Sequence, residues 1–162
     1  MQPNDIDKLK KQCKMTRIAG WFFLETIFIY GFIVFVFVQR PHEPTMVSDA
    51  AGAQKYLYYI LSIGSCLMIP VLKPMIISGH SLPKEYREVK LNYSQLTVRL
   101  VSATIVSYAL AEIPVIFGII LSLSTHRMAD FYILAALSFG ALLVSLPKYE
   151  EWEAQVKKLV PF

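Results

Sequence analysis

The chain has 162 residues, 55% of them hydrophobic and only 17% charged, with 16 Lys or Arg against 12 Asp or Glu for a formal charge of +4. A soluble domain carries about 25% charged residues, so this balance excludes an ordinary water-soluble fold. The apolar excess lies in four runs, 18–38, 56–72, 100–123 and 131–146, and no segment between them is long enough to build a second core. The expectation is an all-α integral membrane protein: one four-helix domain made of two tandem transmembrane hairpins.

The first run follows a basic stretch with Lys8, Lys10, Lys11, Lys14 and Arg17. Its 21 residues cover ~31 Å at 1.5 Å each, one hydrocarbon thickness. A signal core is only ~7–15 residues long, and Gln39, Arg40 and Pro41 follow where a cleavage site would need small residues. It is expected to be a retained first span. The connection to the second run holds two charges of each sign. The segment 73–99 holds five basic groups (Lys73, Lys84, Arg87, Lys90, Arg99) and two acidic ones. Its mixed-charge part, 84–93, predicts a short interfacial helix or a docking surface for a soluble partner. The fourth run, 16 residues long, predicts a short span or a re-entrant segment. In the tail, 148–160, Trp152, Val156 and Leu159 fall at i, i+4 and i+7, and Glu153 pairs with Lys157 at i,i+4. That pattern predicts an amphipathic helix at headgroup level, Trp152 toward lipid.

Lys and Arg are concentrated in the N-terminus and in 73–99. The positive-inside rule therefore places both termini and that loop in the cytoplasm. Basic residues beside anionic headgroups account for the charge, and no nucleic-acid partner is required. Cys13 and Cys66 have no neighbours at ligand spacing, and His42, His80 and His126 fall in connections. No metal site, haem, disulfide or other cofactor is expected. The chain has neither a Gly-rich phosphate loop nor a nucleophile motif, so no enzymatic activity is expected.

The first and third helices repeat a phrase. Glu25 precedes Ile29-Tyr30-Gly31 and Ile33, and Glu112 precedes Ile116-Phe117-Gly118 and Ile120, at a constant offset of 87. The second and fourth correspond at an offset of 76, with Tyr56, Leu61, Ser62, Gly64 and Leu67 matching Tyr132, Leu137, Ser138, Gly140 and Leu143. Two similar hairpins in parallel orientation follow. Ser62 and Cys66, and Ala136 and Gly140, lie four apart. With Gly64, they are the expected sites of close helix packing.

Glu25 and Glu112 are the candidate chemical groups. A charged side chain at the bilayer centre costs on the order of 2.5–3.5 kcal/mol on insertion scales, and a carboxyl removed from water favours its neutral form, which still exchanges a proton. Ser107 and Tyr108 lie about one turn before Glu112 and are its expected hydrogen-bonding support. Pro114 frees the carbonyl of Leu110 nearby.

Ala111-Glu112 followed by Phe117-Gly118-Ile119-Ile120 resembles the ion-binding helix of the rotor proteolipids, the c subunits of rotary ATP synthases and V-type ATPases. Glu25 with Tyr30-Gly31 and Phe32-Ile33 resembles the same helix. The resemblance implies that the Glu carries a proton or sodium ion and that subunits assemble into an oligomer. Two other functions fit the residues. A non-catalytic anchor or scaffold in a larger membrane complex suits the chain's 7 Gly and its bulky aromatics, 10 Phe and 9 Tyr. A small-solute antiporter would use Glu25 alone.

Overall fold

The computed structural model describes residues 3–38, 50–78 and 93–159. The expected interfacial or docking stretch at 84–93 lies outside them except for Tyr93. The described chain is all-α, without strands, in five helices: α1 (Pro3–Val38), α2 (Ala50–Ser78), α3 (Tyr93–Thr125), α4 (Met128–Ser145) and α5 (Tyr149–Leu159). The first four are long and apolar enough to cross a membrane. This is a multi-pass membrane protein.

The spans are longer than their apolar runs. Lys, Leu, Met and Gln are strong helix formers, so α1 continues through the basic N-terminal stretch to 36 residues, about 54 Å. Likewise α2 runs on past residue 72 to Ser78, with Pro70 and Pro74 inside it, prolines that a helix in lipid accommodates when neighbours re-satisfy the freed carbonyls. The fourth run forms a complete 18-residue helix of about 27 Å, which suits a span rather than a re-entrant loop. It is joined to α3 by two residues, His126 and Arg127. His126 takes a left-handed conformation, φ 52°, and Ser122 Oγ donates to the Arg127 carbonyl at 3.1 Å. Pro147 holds Leu146 extended (ψ 130°) and stops α4.

Helix α3 is the centre of the molecule, packing on α1, α2, α4 and α5. α1 and α3 run in parallel, and α2 and α4 run opposite to them. The order out, back, out, back is as expected, but the hairpins differ. α3 and α4 pack closely along each other, whereas the backbones of α1 and α2 do not come close among the described residues. Two apolar clusters hold the bundle. One lies within the spans and joins Leu24, Ile27 and Val34 of α1 to Tyr108, Ala111 and Val115 of α3 and to Phe131, Ala135 and Leu142 of α4. The other lies at the end where both described termini sit, and joins Leu9, Cys13, Ile77, Leu96, Leu100 and Ala103 to Trp152 and Val156 of α5.

Two expectations are corrected here. The tail is a helix, but Trp152 is 1% exposed and faces α1 and α3 rather than lipid, because the extension of α1 supplies an apolar surface for it. Of the five residues expected at close crossings, only Ser62 is buried within the chain, and Cys66 is half-buried. Gly64, Ala136 and Gly140 face outward, and a Cβ at Gly64 or Gly140 would meet nothing within 4 Å. The close crossings are at Gly20, where a Cβ would stand 2.6 Å from the Tyr108 hydroxyl, and at Gly118, where it would stand 3.3 Å from Phe131 Cα.

Candidate intramembrane carboxylate site

Depth can be read along the helices. Lys55 and Lys73 stand 18 positions apart on α2, about 27 Å and close to the ~30 Å hydrocarbon core. In α1, Glu25 lies eight residues past Arg17, about 12 Å in. Contacts between α1 and α3 join residues close to the repeat offset of 87: Thr26 meets Glu112, and Phe23 packs on Tyr108 with ring centroids 5.4 Å apart. The two acidic residues therefore share one level near the bilayer centre.

Their surroundings differ. Glu112 is half-buried and turned toward α1, where Thr26 Oγ1 lies 2.8 Å from its Oε1. The same Thr26 hydroxyl lies 2.7 Å from the carbonyl of Phe23. Glu25 is exposed on the outer face, in a groove of about 460 Å³ lined by Ile18, Trp21, Phe22, Leu24, Phe28 and Phe139. It has no hydrogen-bond or ionic partner among the described residues. The repeat thus places the two acids at equal depth, one turned into the bundle and one out.

Ser107 and Tyr108 do not support Glu112. Ser107 Oγ donates to the Ala103 carbonyl at 2.8 Å, and the Tyr108 hydroxyl donates to the Thr16 carbonyl at 3.2 Å. Helical side chains lean toward the N-terminus of their helix, which carries the Tyr108 hydroxyl away from Glu112. Ser138 of α4 donates to the carbonyl of Ala111, so polar contacts from two helices converge on neighbouring residues of α3.

A second charged cluster was not anticipated. Asp130, in the first turn of α4, is 2% exposed. Its Oδ1 accepts from Lys55 Nζ at 2.7 Å and from the Tyr59 hydroxyl at 2.9 Å. Lys55 Nζ also lies 5.7 Å from the centroid of the Tyr59 ring. In the sequence, Lys55 and Asp130 read as loop charges. The available signal was the i,i+4 spacing of Lys55 and Tyr59 opposite a lone acid at the start of a helix. Among the described residues no group of three or more His, Cys, Asp or Glu could hold a metal ion.

Comparison of the chain with protein-family models, with curated proteins and with solved structures finds no match, so the functional reading rests on the residues themselves.

Proposed function

We propose that this membrane protein handles protons at mid-bilayer through Glu112 and Glu25, as a subunit of an oligomeric assembly whose termini face the cytoplasm. The observation that carries the proposal is the Thr26 hydroxyl. It has one proton and stands within hydrogen-bond distance of two acceptors, the Phe23 carbonyl and Glu112 Oε1. The Phe23 carbonyl already accepts the Ile27 N–H within α1, so the hydroxyl is free to turn its proton to Glu112 or to leave its oxygen as an acceptor. If Glu112 is the neutral acid, it donates to Thr26 Oγ1, which donates to Phe23, and the chain is complete. In this form a proton is held at Glu112 and shared with a hydroxyl of the neighbouring helix.

A single hydroxyl beside the carboxyl suits a proton better than a cation, which needs several oxygens. Glu25 supplies a second carboxyl at the same depth on the open face, where it exchanges with a partner or with water that reaches the groove. The parallel, side-by-side Glu helices support the resemblance to rotor proteolipids as a guide to this chemistry. An outward, unpartnered acid supports assembly, since a neighbouring subunit would cover it.

A carbodiimide attacks protonated carboxyls in apolar settings. It should modify Glu112 or Glu25 before the exposed Glu150 and Glu151, with reactivity falling as pH rises, and Glu112→Gln should remove the Glu112 adduct while preserving the fold. Absence of intramembrane modification at any pH, or proton flux in reconstituted vesicles equal for parent and Gln variants, would leave the carboxyls structural and favour the scaffold.

A further inference from the structure

Helices α2 and α4 meet only sparsely, and between them runs a groove of about 540 Å³ lined by Cys66, Pro70, Lys73, Ala136, Gly140 and Val144 among others. We propose that this groove is a binding site for one anionic phospholipid, with an acyl chain between α2 and α4 and the phosphate on Lys73.

Three observations support this occupant. The groove wall is almost wholly apolar and open on the lipid side, as an acyl chain requires. Lys73 is half-buried at one end of the groove, and it has no hydrogen-bond or ionic partner among the described residues. A cation in this position is complementary to a phosphate, and the four-carbon stem lets its ammonium reach the interface. Depth agrees as well. Lys73 stands about 27 Å along α2 from Lys55, which places it at the headgroup boundary if Lys55 and Asp130 mark the other. From there the groove continues along α4 from Ser145 to Ala136, about 13 Å. One leaflet of a ~30 Å hydrocarbon core is about 15 Å deep. The slot therefore has the depth of a single leaflet, on the side of the bilayer where the described termini lie. Gly140 leaves its floor open, since a Cβ there would meet nothing within 4 Å.

The test uses the full chain in mild detergent, with phosphatidylglycerol and phosphatidylcholine of identical acyl chains as probes. Native mass spectrometry counts the bound lipids and ranks their affinities. One phosphatidylglycerol is expected to be retained, roughly fivefold more tightly than phosphatidylcholine, as one lysine beside an anionic headgroup provides. Lys73→Gln should abolish that preference and Lys73→Arg should keep it. Gly140→Leu should weaken both lipids, because its side chain enters the groove.

Cys66 gives a second readout in a Cys13→Ser background: phosphatidylglycerol should slow its alkylation by a membrane-permeant maleimide, and Lys73→Gln should remove the protection. A headgroup preference that survives Lys73→Gln, or lipid binding indifferent to Gly140→Leu, would overturn the proposal. So would Cys66–Cys66 cross-linking together with a change in oligomer mass in Gly140→Leu, since a second copy would then occupy the groove.

Discussion

At the scale of residues, the arrangement around Glu112 depends on one hydroxyl from another helix. Thr26→Val keeps the shape of the side chain but removes its hydrogen bonds to Glu112 and to the Phe23 carbonyl. The variant should lose about 1–3 kcal/mol in thermal unfolding. The infrared carbonyl band of a protonated Glu112 should move to higher frequency as its hydrogen bond is lost, and Thr26→Ser should restore both readouts. An unmoved band would show that Thr26 does not accept from Glu112. The sequence made the acids legible, because a Glu inside an apolar run is costly wherever it points; their common level follows from the contacts of Thr26 with Glu112 and of Phe23 with Tyr108. It did not reveal Thr26, because threonine is unremarkable in a membrane helix and the contact spans 86 residues of chain. Ser107 and Tyr108 misled for a related reason: spacing along one helix indicates a shared face but not the direction of a long side chain.

At the scale of elements, the most informative is α5. Its periodicity correctly indicated an amphipathic helix, but a pattern of apolar residues does not distinguish lipid from protein as the surface it meets. That depended on whether α1 continued through a run of lysines, and hydropathy gives no sign of it because lysine is polar yet a good helix former. Trp152→Ala should destabilise the fold by about 3–5 kcal/mol, as expected for truncating a buried Trp. Trp152→Phe should cost much less, since the indole Nε1 is buried without a hydrogen-bond partner and the substitution removes an unmet donor. Unfolding in detergent, followed by tryptophan-independent circular dichroism, separates the two. The exposed face of α5 contributes little. A hydrogen bond from Lys157 holds the Glu153 carboxyl below its ordinary value, and Lys157 is raised chiefly by the same bond. The stability from Glu153 is therefore present at neutral pH and lost as pH falls through its lowered value. The pair is solvent-exposed, so the loss is small. Glu153→Gln should alter the acid limb of the stability profile only slightly.

At the scale of the whole molecule, helix count and alternating sense follow from apolar length and repeat offset, but the choice of neighbours does not. The runs are apolar on all sides, and contact surfaces are set by small features such as Gly20 and Gly118 that periodicity does not single out. Orientation is open to direct labelling. Ala129 and Ala154 are exposed at opposite ends of the bundle, so single cysteines there, in a background without Cys13 and Cys66, should be labelled from opposite sides of the membrane, with Ala154→Cys reached from the cytoplasm. Reversed labelling would overturn the orientation drawn from Lys and Arg. The least expected feature at this scale is the junction of Asp130 with Lys55 and Tyr59, which ties α2 to α4 where the two helices otherwise barely meet. Removing one partner of such a pair leaves the other charge uncompensated. Lys55 is 36% exposed and Asp130 3%, so water can recover the lysine but not the acid. Lys55→Met, which strands Asp130, should therefore destabilise the protein more than Asp130→Asn, which frees an already wetted lysine. Losses of about 1.5–3 kcal/mol are expected for the first. The charge swap, Lys55→Asp with Asp130→Lys, should recover only part of that loss, because a cation in the first turn of α4 opposes the helix dipole. Full recovery would mean that the pair acts through charge alone, and equal losses in the two single variants would mean that burial of Asp130 is unimportant.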